Sequence, residues 1–157
     1  MLEKTITVNA SIEDVWRAWT TVSGVKQFFA PNARLRIEPN GPYEILFDPE
    51  AAPGSQGGEG CKVLSFIPDR MLSFTWGAPP KFPHAREQKA QWVVLLFQSQ
   101  GKNKTNVKLI ELGWKEGREG DEVYRYFDRA WDLVLRRLAY SFEEGPIDWE
   151  NPWRPDA

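Results

Sequence analysis

One long amphipathic segment following six strand-like segments constrains this chain more than any other feature. From Glu122 to about Glu144, Val123, Phe127, Ala130, Trp131, Val134 and Leu138 recur at helical spacing, and Gly145-Pro146 stops the run. Before it, segments 33–38, 42–47, 61–67, 71–76, 89–99 and 105–114 alternate or run apolar at strand length, with turn residues or irregular stretches between them. Consecutive strands with short links favour antiparallel pairing. A single long helix must then cover the sheet's apolar face. The expectation is an α+β fold: a curved antiparallel sheet of about seven strands packed on a long C-terminal helix.

The N-terminal third supplies the remaining elements. EKTITVN (3–9) alternates polar and apolar residues, the pattern of a half-buried strand. Ser11, with Asp14 three residues on, forms a variant of the capping box, and Ile12, Val15, Trp16 and Trp19 mark one helical face. A second short helix is expected through Val22, Val25, Phe28 and Phe29, ending at Pro31. Asn40-Gly41 is a tight-turn dipeptide. PEAAPGSQGGEG (49–60) and APPKFPHAR (78–86) read as irregular loops. At 157 residues the chain is about one domain, able to bury roughly 68–70% of its unfolded surface without disulfides or metals. That domain is expected to span 1–145, with 146–157 as a non-helical tail.

Composition narrows the partners. A net charge of −2 provides no electrostatic footprint for nucleic acid or an anionic membrane. No stretch approaches the ~18 apolar residues of a membrane span. Cys61 is the single cysteine, which excludes an intrachain disulfide and suits a cytoplasmic protein. The N-terminus has no charged segment leading into an apolar run, so no signal peptide is expected. One cysteine and one histidine form no metal-ligand cluster, and no GxSxG, HExxH, P-loop or dinucleotide fingerprint occurs. GSQGGEG (54–60) lies between strands with no helix behind it to hold a phosphate. Neither a metal nor a cofactor is expected.

The segments ASIEDVWRAWT (10–20), FFAPNA (28–33), GPYEILFDP (41–49), GEGCKVLSFIPDRMLSFTW (58–76), LIELGWKEG (109–117) and YFDRAWDLVLRRLAYSFEEGP (126–146) carry a resemblance that spans nearly the whole chain. In order and spacing they resemble the helix-grip START/SRPBCC superfamily, and within it the group related to the C-terminal domain of the heat-shock-protein-90 ATPase activator. The resemblance implies a helix-grip fold with an apolar pocket between sheet and C-terminal helix. Three functions follow as expectations: binding of a small apolar or aromatic molecule, cyclase- or hydrolase-like catalysis, and a cochaperone-type contact with a chaperone.

An apolar cavity costs on the order of 24 cal/mol per Å³, so an empty pocket of ~300 Å³ costs about 7 kcal/mol out of a typical 5–15 kcal/mol. Such a pocket is closed down, filled by side chains, wet, or occupied. Eight Trp and nine Phe suit filling and lining equally. The candidate ligand-binding surface is Trp16, Phe29, Trp76, Trp92, Phe127 and Trp131; for Trp16, Trp19, Trp92 and Trp131, core packing alone is the competing role.

Glu111 is the polar candidate and the one candidate for catalysis. It shares a strand face with Val107, Leu109 and Gly113. If Val107 and Leu109 face the long helix, Glu111 enters the pocket, where desolvation raises its pKa and makes it an acid, a base or a polar anchor. If Ile110, Leu112 and Trp114 face inward instead, or if Glu111 sits near the sheet's edge, it is solvated. His84 is expected exposed in a loop, Cys61 is read as a small buried thiol, and Arg136-Arg137 as a solvated stripe. AQWVVLLFQ (90–98) is apolar on both parities. Its second face calls for a cover, either the tail through Trp149 and Trp153 or another copy, which makes a homodimer a candidate assembly.

Overall fold

A computed structural model describes residues 1–155. Its elements run β1 (Leu2–Val8), α1 (Ile12–Thr20), α2 (Val22–Phe28), β2 (Asn32–Leu35), β3 (Tyr43–Leu46), β4 (Val63–Ile67), β5 (Met71–Trp76), α3 (Pro83–Gln88), β6 (Gln91–Ser99), β7 (Thr105–Leu112) and α4 (Arg118–Glu144). Short polar side chains set the helix boundaries. Ser11 Oγ accepts from the Asp14 N–H at 3.2 Å and opens α1. Thr21 closes α1 with its N–H on Arg17 O, then caps α2 by accepting the Gly24 N–H at 3.0 Å. Gly24 is required by close approach: a Cβ there would lie 2.3 Å from Arg17 O.

The sheet is antiparallel throughout, in the order β1-β7-β6-β5-β4, with the β2–β3 hairpin beyond it. A Pro42–Lys62 bridge and the bonds Tyr43 N–H to Cys61 O and Val63 N–H to Gly41 O, each 2.9 Å, carry the curve from β4 to β3. The seven strands therefore wrap as expected, with an interruption beside the register shift at Val63–Ser65. Asn40 takes φ 62°, the left-handed conformation its turn position calls for.

The helix α4 is about 40 Å long at 1.5 Å per residue. Val123, Phe127, Trp131, Val134, Leu135 and Leu138 bury its inner stripe against the sheet. It begins a turn before the expected Glu122, because apolar periodicity is blind to the polar residues 118–121. Glu119 in that turn accepts the Ala85 N–H at 2.9 Å, joining α4 to α3. The helix α3 corrects the irregular loop expected over 78–86. Pro83 occupies a first-turn position, where its missing N–H costs nothing, and Lys89 ends the helix at φ 45°.

Two further expectations are overturned. The tail covers α2 and α4 rather than β6. The Ile147 N–H bonds Gln27 O at 2.8 Å, Trp149 Nε1 donates to Lys26 O at 2.7 Å, and Trp153 stacks on Tyr140 with centroids 4.3 Å apart. Arg136 and Arg137 do not share a solvated stripe. A step of 100° along the helix leaves Arg136 exposed and turns Arg137 under the tail, 8% exposed, where its Nε donates to Trp153 O at 3.0 Å and its guanidinium lies over Trp149. Among the described residues, no helix is long and apolar enough to cross a membrane.

Candidate functional site

The strand β7 decides the site. Thr105, Val107, Leu109 and Glu111 alternate inward, all buried, while Asn106, Lys108, Ile110 and Leu112 are only half-buried. Leu2 of β1 and Val93 of β6 flank Glu111 across the ladder. These apolar neighbours and α4 leave the carboxyl 0% exposed. The inward reading of Val107 and Leu109 is therefore the one the fold adopts.

Antiparallel pairing brings the end of β5, the start of β6 and the end of β7 to one end of the sheet. Trp76 faces Gln91 in register, and Gln91 lies on the same inward face as Val93, diagonal to Glu111. From the helix side, Phe127 and Trp131 stand one turn apart on α4, and Phe29 enters from the C-cap of α2. Centroid distances of 5.9 Å (Phe29–Trp76), 5.8 Å (Phe29–Trp131), 5.2 Å (Trp76–Trp131) and 6.3 Å (Phe127–Trp131) describe rings in mutual contact. Four of the six aromatic candidates thus gather around Glu111, filling the interior with their own rings.

The polar atoms of this box are incompletely paired. Trp131 Nε1 donates to Glu111 Oε1. Glu111 Oε2, Gln91 Oε1 and Trp76 Nε1 are buried without a hydrogen-bond partner among the described residues. Desolvation pushes the Glu111 carboxyl up to about 8, and the Trp131 hydrogen bond offsets only part of that. At neutral pH the group is a carboxylic acid. With Oε1 accepting from the indole, Oε2 carries the proton and is a donor without an acceptor. An unmade buried hydrogen bond of this kind costs about 1–3 kcal/mol.

The other candidates lie apart. Trp92 points to the opposite face of the sheet, 39% exposed, because Val93 takes the inward parity. Trp16 is half-buried against Phe97 at 5.5 Å, and Phe97 pairs with Val107, about 13 Å along the strand from Glu111. His84 is exposed on α3 beside Gln88. Cys61 is buried, and desolvation pushes its thiol up to about 11, which makes it a poor nucleophile. Among the described residues no group of three or more His, Cys, Asp or Glu side chains could hold a metal ion. Glu59 is held below the usual carboxylate range: burial pushes it up, but the N–H groups of Gly54, Gln56 and Gly57 and the Arg86 guanidinium outweigh that.

Sequence reasoning missed Gln91. Its signal was available, since a polar residue at the parity of Val93, Leu95 and Phe97 places an amide in the interior. Tyr43 was missed as well; its hydroxyl donates to Trp19 O at 2.8 Å in the core.

Comparison with known proteins places this architecture. The chain resembles the MLL2253 protein of Mesorhizobium loti at 15% identity and TM-score 0.69, over 93% of this chain and 100% of that one. It resembles an AHSA1-like protein of Rhizobium etli at 17% identity and TM-score 0.65, over 98% and 88%. It also resembles the Aha1 dimer of Colwellia psychrerythraea at 18% identity and TM-score 0.60, over 92% and 96%. These likenesses establish the shared fold. No curated protein matches the sequence. The family described as "Activator of Hsp90 ATPase homolog 1-like protein" matches residues 9–143. The chain therefore belongs to the Activator of Hsp90 ATPase homolog 1-like family.

Proposed function

We propose that this domain binds a small aromatic or apolar molecule carrying a hydrogen-bond acceptor, admitted between the sheet and α4 by displacement of the rings around Glu111. The observation that supports the reading is a fully buried carboxylic acid with one unpaired oxygen, set among Phe29, Trp76, Phe127 and Trp131. Apolar side chains alone would fill this interior without that cost, so an inward acid favours a guest that accepts its proton in a hydrogen bond.

The test uses 1-tetralone, which has a carbonyl, and tetralin, which has none. Tetralone is expected to quench tryptophan emission saturably and to bind about tenfold tighter than tetralin. Glu111→Leu is expected to erase that preference while leaving weak binding of both. Equal affinities in the unaltered protein, or no saturation with either, would sink the proposal.

A second reading concerns assembly. The outward face of the sheet exposes Trp92 and Leu96 at 39% each and Ile67 at 50%, on β6 and β4. Apolar surface on a central strand suits a self-complementary two-fold contact. The Aha1 protein of Colwellia psychrerythraea, which shares this fold, is a dimer. Sedimentation velocity at high micromolar concentration is expected to show a dimer that Leu96→Glu converts to monomer. A monomer without the substitution overturns the assembly.

A further inference from the structure

Beside the inner stripe of α4, on one flank, runs a second stripe of different chemistry. Glu122, Tyr126, Ala130, Leu133 and Arg136 recur at three- and four-residue spacing, so they share one flank of the helix. Together with Lys81, Phe82, Arg154 and Pro155 this flank lines an open groove of about 850 Å³. Its floor is apolar, formed by Phe82, Tyr126 and Leu133. Its rim is basic: Lys81, Arg125, Arg129, Arg136 and Arg154 stand against two carboxylates, Glu122 and Asp132.

That excess of three positive charges lies on a chain whose net charge is −2. The carboxylates are also partly engaged. Glu122 pairs with Arg118 at 3.5 Å and Asp132 with Arg136 at 3.2 Å. Among the described residues, Arg125 and Arg129 have no carboxylate within salt-bridge distance, and both are exposed one helical turn apart. Lys81 lies over the Tyr126 ring, 4.5 Å from its centroid, so the cationic rim and the apolar floor meet directly.

We propose that this groove docks an extended acidic peptide segment in which Asp or Glu alternates with apolar residues. From Glu122 to Arg136 the groove follows α4 for about 21 Å, the length of about six residues in an extended strand. An extended peptide puts alternate side chains on opposite sides, apolar ones onto the floor and carboxylates toward the rim. The geometry disfavours nucleic acid, whose uniform line of phosphates would meet Glu122 and Asp132 and find no use for an apolar floor.

Fluorescence anisotropy of a labelled heptapeptide alternating glutamate with leucine and phenylalanine tests the proposal on the whole chain. Saturable binding is expected, weakening about tenfold between ~50 and ~300 mM salt as the exposed charges are screened. The double variant Arg125→Glu, Arg129→Glu is expected to lose binding at least about tenfold with an unchanged thermal melt, since both side chains are exposed. The milder Arg125→Gln, Arg129→Gln pair should fall between. A peptide with glutamine for glutamate should bind at least about tenfold more weakly. Absence of binding, equal binding of the glutamine peptide, or binding that survives the charge reversal overturns the proposal. So does equally tight binding of oligothymidylate, which would make the groove a general polyanion surface.

Discussion

Glu111→Gln will flatten the dependence of stability on pH between about 4.5 and 8. The folded carboxyl is pushed up to about 8 by desolvation, whereas the unfolded chain releases its proton near the ordinary value of 4.5. Below pH 4.5 both states hold the proton and the native state has its full stability. As pH rises, the unfolded state ionises first and gains, so native stability falls by about 1.4 kcal/mol per pH unit, on the order of 5 kcal/mol across the window. Glutamine has no proton to release. Its amide oxygen still accepts from Trp131, but its NH₂ brings two donors where the acid brought one, at a cost of about 1–3 kcal/mol. The variant should therefore be less stable near pH 4 and more stable near pH 8, the two profiles crossing between. Urea denaturation across that range, followed by tryptophan emission, measures this. The difference between the profiles isolates Glu111, because Glu59 has its pKa depressed in the folded state. Its contribution is present above the unfolded pKa in both proteins and is lost in both as pH falls. Parallel profiles would show that Glu111 is not the buried acid described.

The second large effect is at Trp131. Trp131→Ala removes an indole that is 2% exposed and contacts Phe29, Trp76 and Phe127, an expected loss of about 3–5 kcal/mol. It also leaves Glu111 with neither oxygen paired, adding about 1–3 kcal/mol. Trp131→Phe separates these contributions. The ring contacts largely persist, the N–H is lost, and the cost should be about 1–3 kcal/mol. Because the indole hydrogen bond is what draws the Glu111 pKa down, the phenylalanine variant should also extend the falling limb of the pH profile to higher pH. Denaturation midpoints at pH 5 and pH 8 read both effects. A phenylalanine variant as stable as the parent at both values would mean that the indole–carboxyl bond contributes nothing.

Much of this arrangement was legible in the chain, for physical reasons that also mark where legibility ended. The period of 3.6 over Val123–Leu138 and the strand-length run MLSFTW located α4 and β5, and Trp76, Phe127 and Trp131 stood among the candidates for the surface between sheet and helix. Trp92 was misread because QWVVLLFQS is apolar on both parities, so local pattern could not say which face the helix would cover. Arg137 was misread because its burial depends on a tail ten and more residues away, and charge patterning on a helix carries no information about that.

Glu111 shows the division most clearly. Alternation along VKLIEL determined that it shares a face with Val107 and Leu109, whatever that face proved to be. Pairing with Leu2 and Val93, and the docking of α4 through Trp131, turned that face inward and removed the carboxyl from water. A sequence specifies periodicity, because periodicity comes from the local geometry of the backbone. It cannot by itself specify desolvation. That arises when residues 2, 93, 111 and 131 meet, and the free energy of those contacts belongs to the assembled fold.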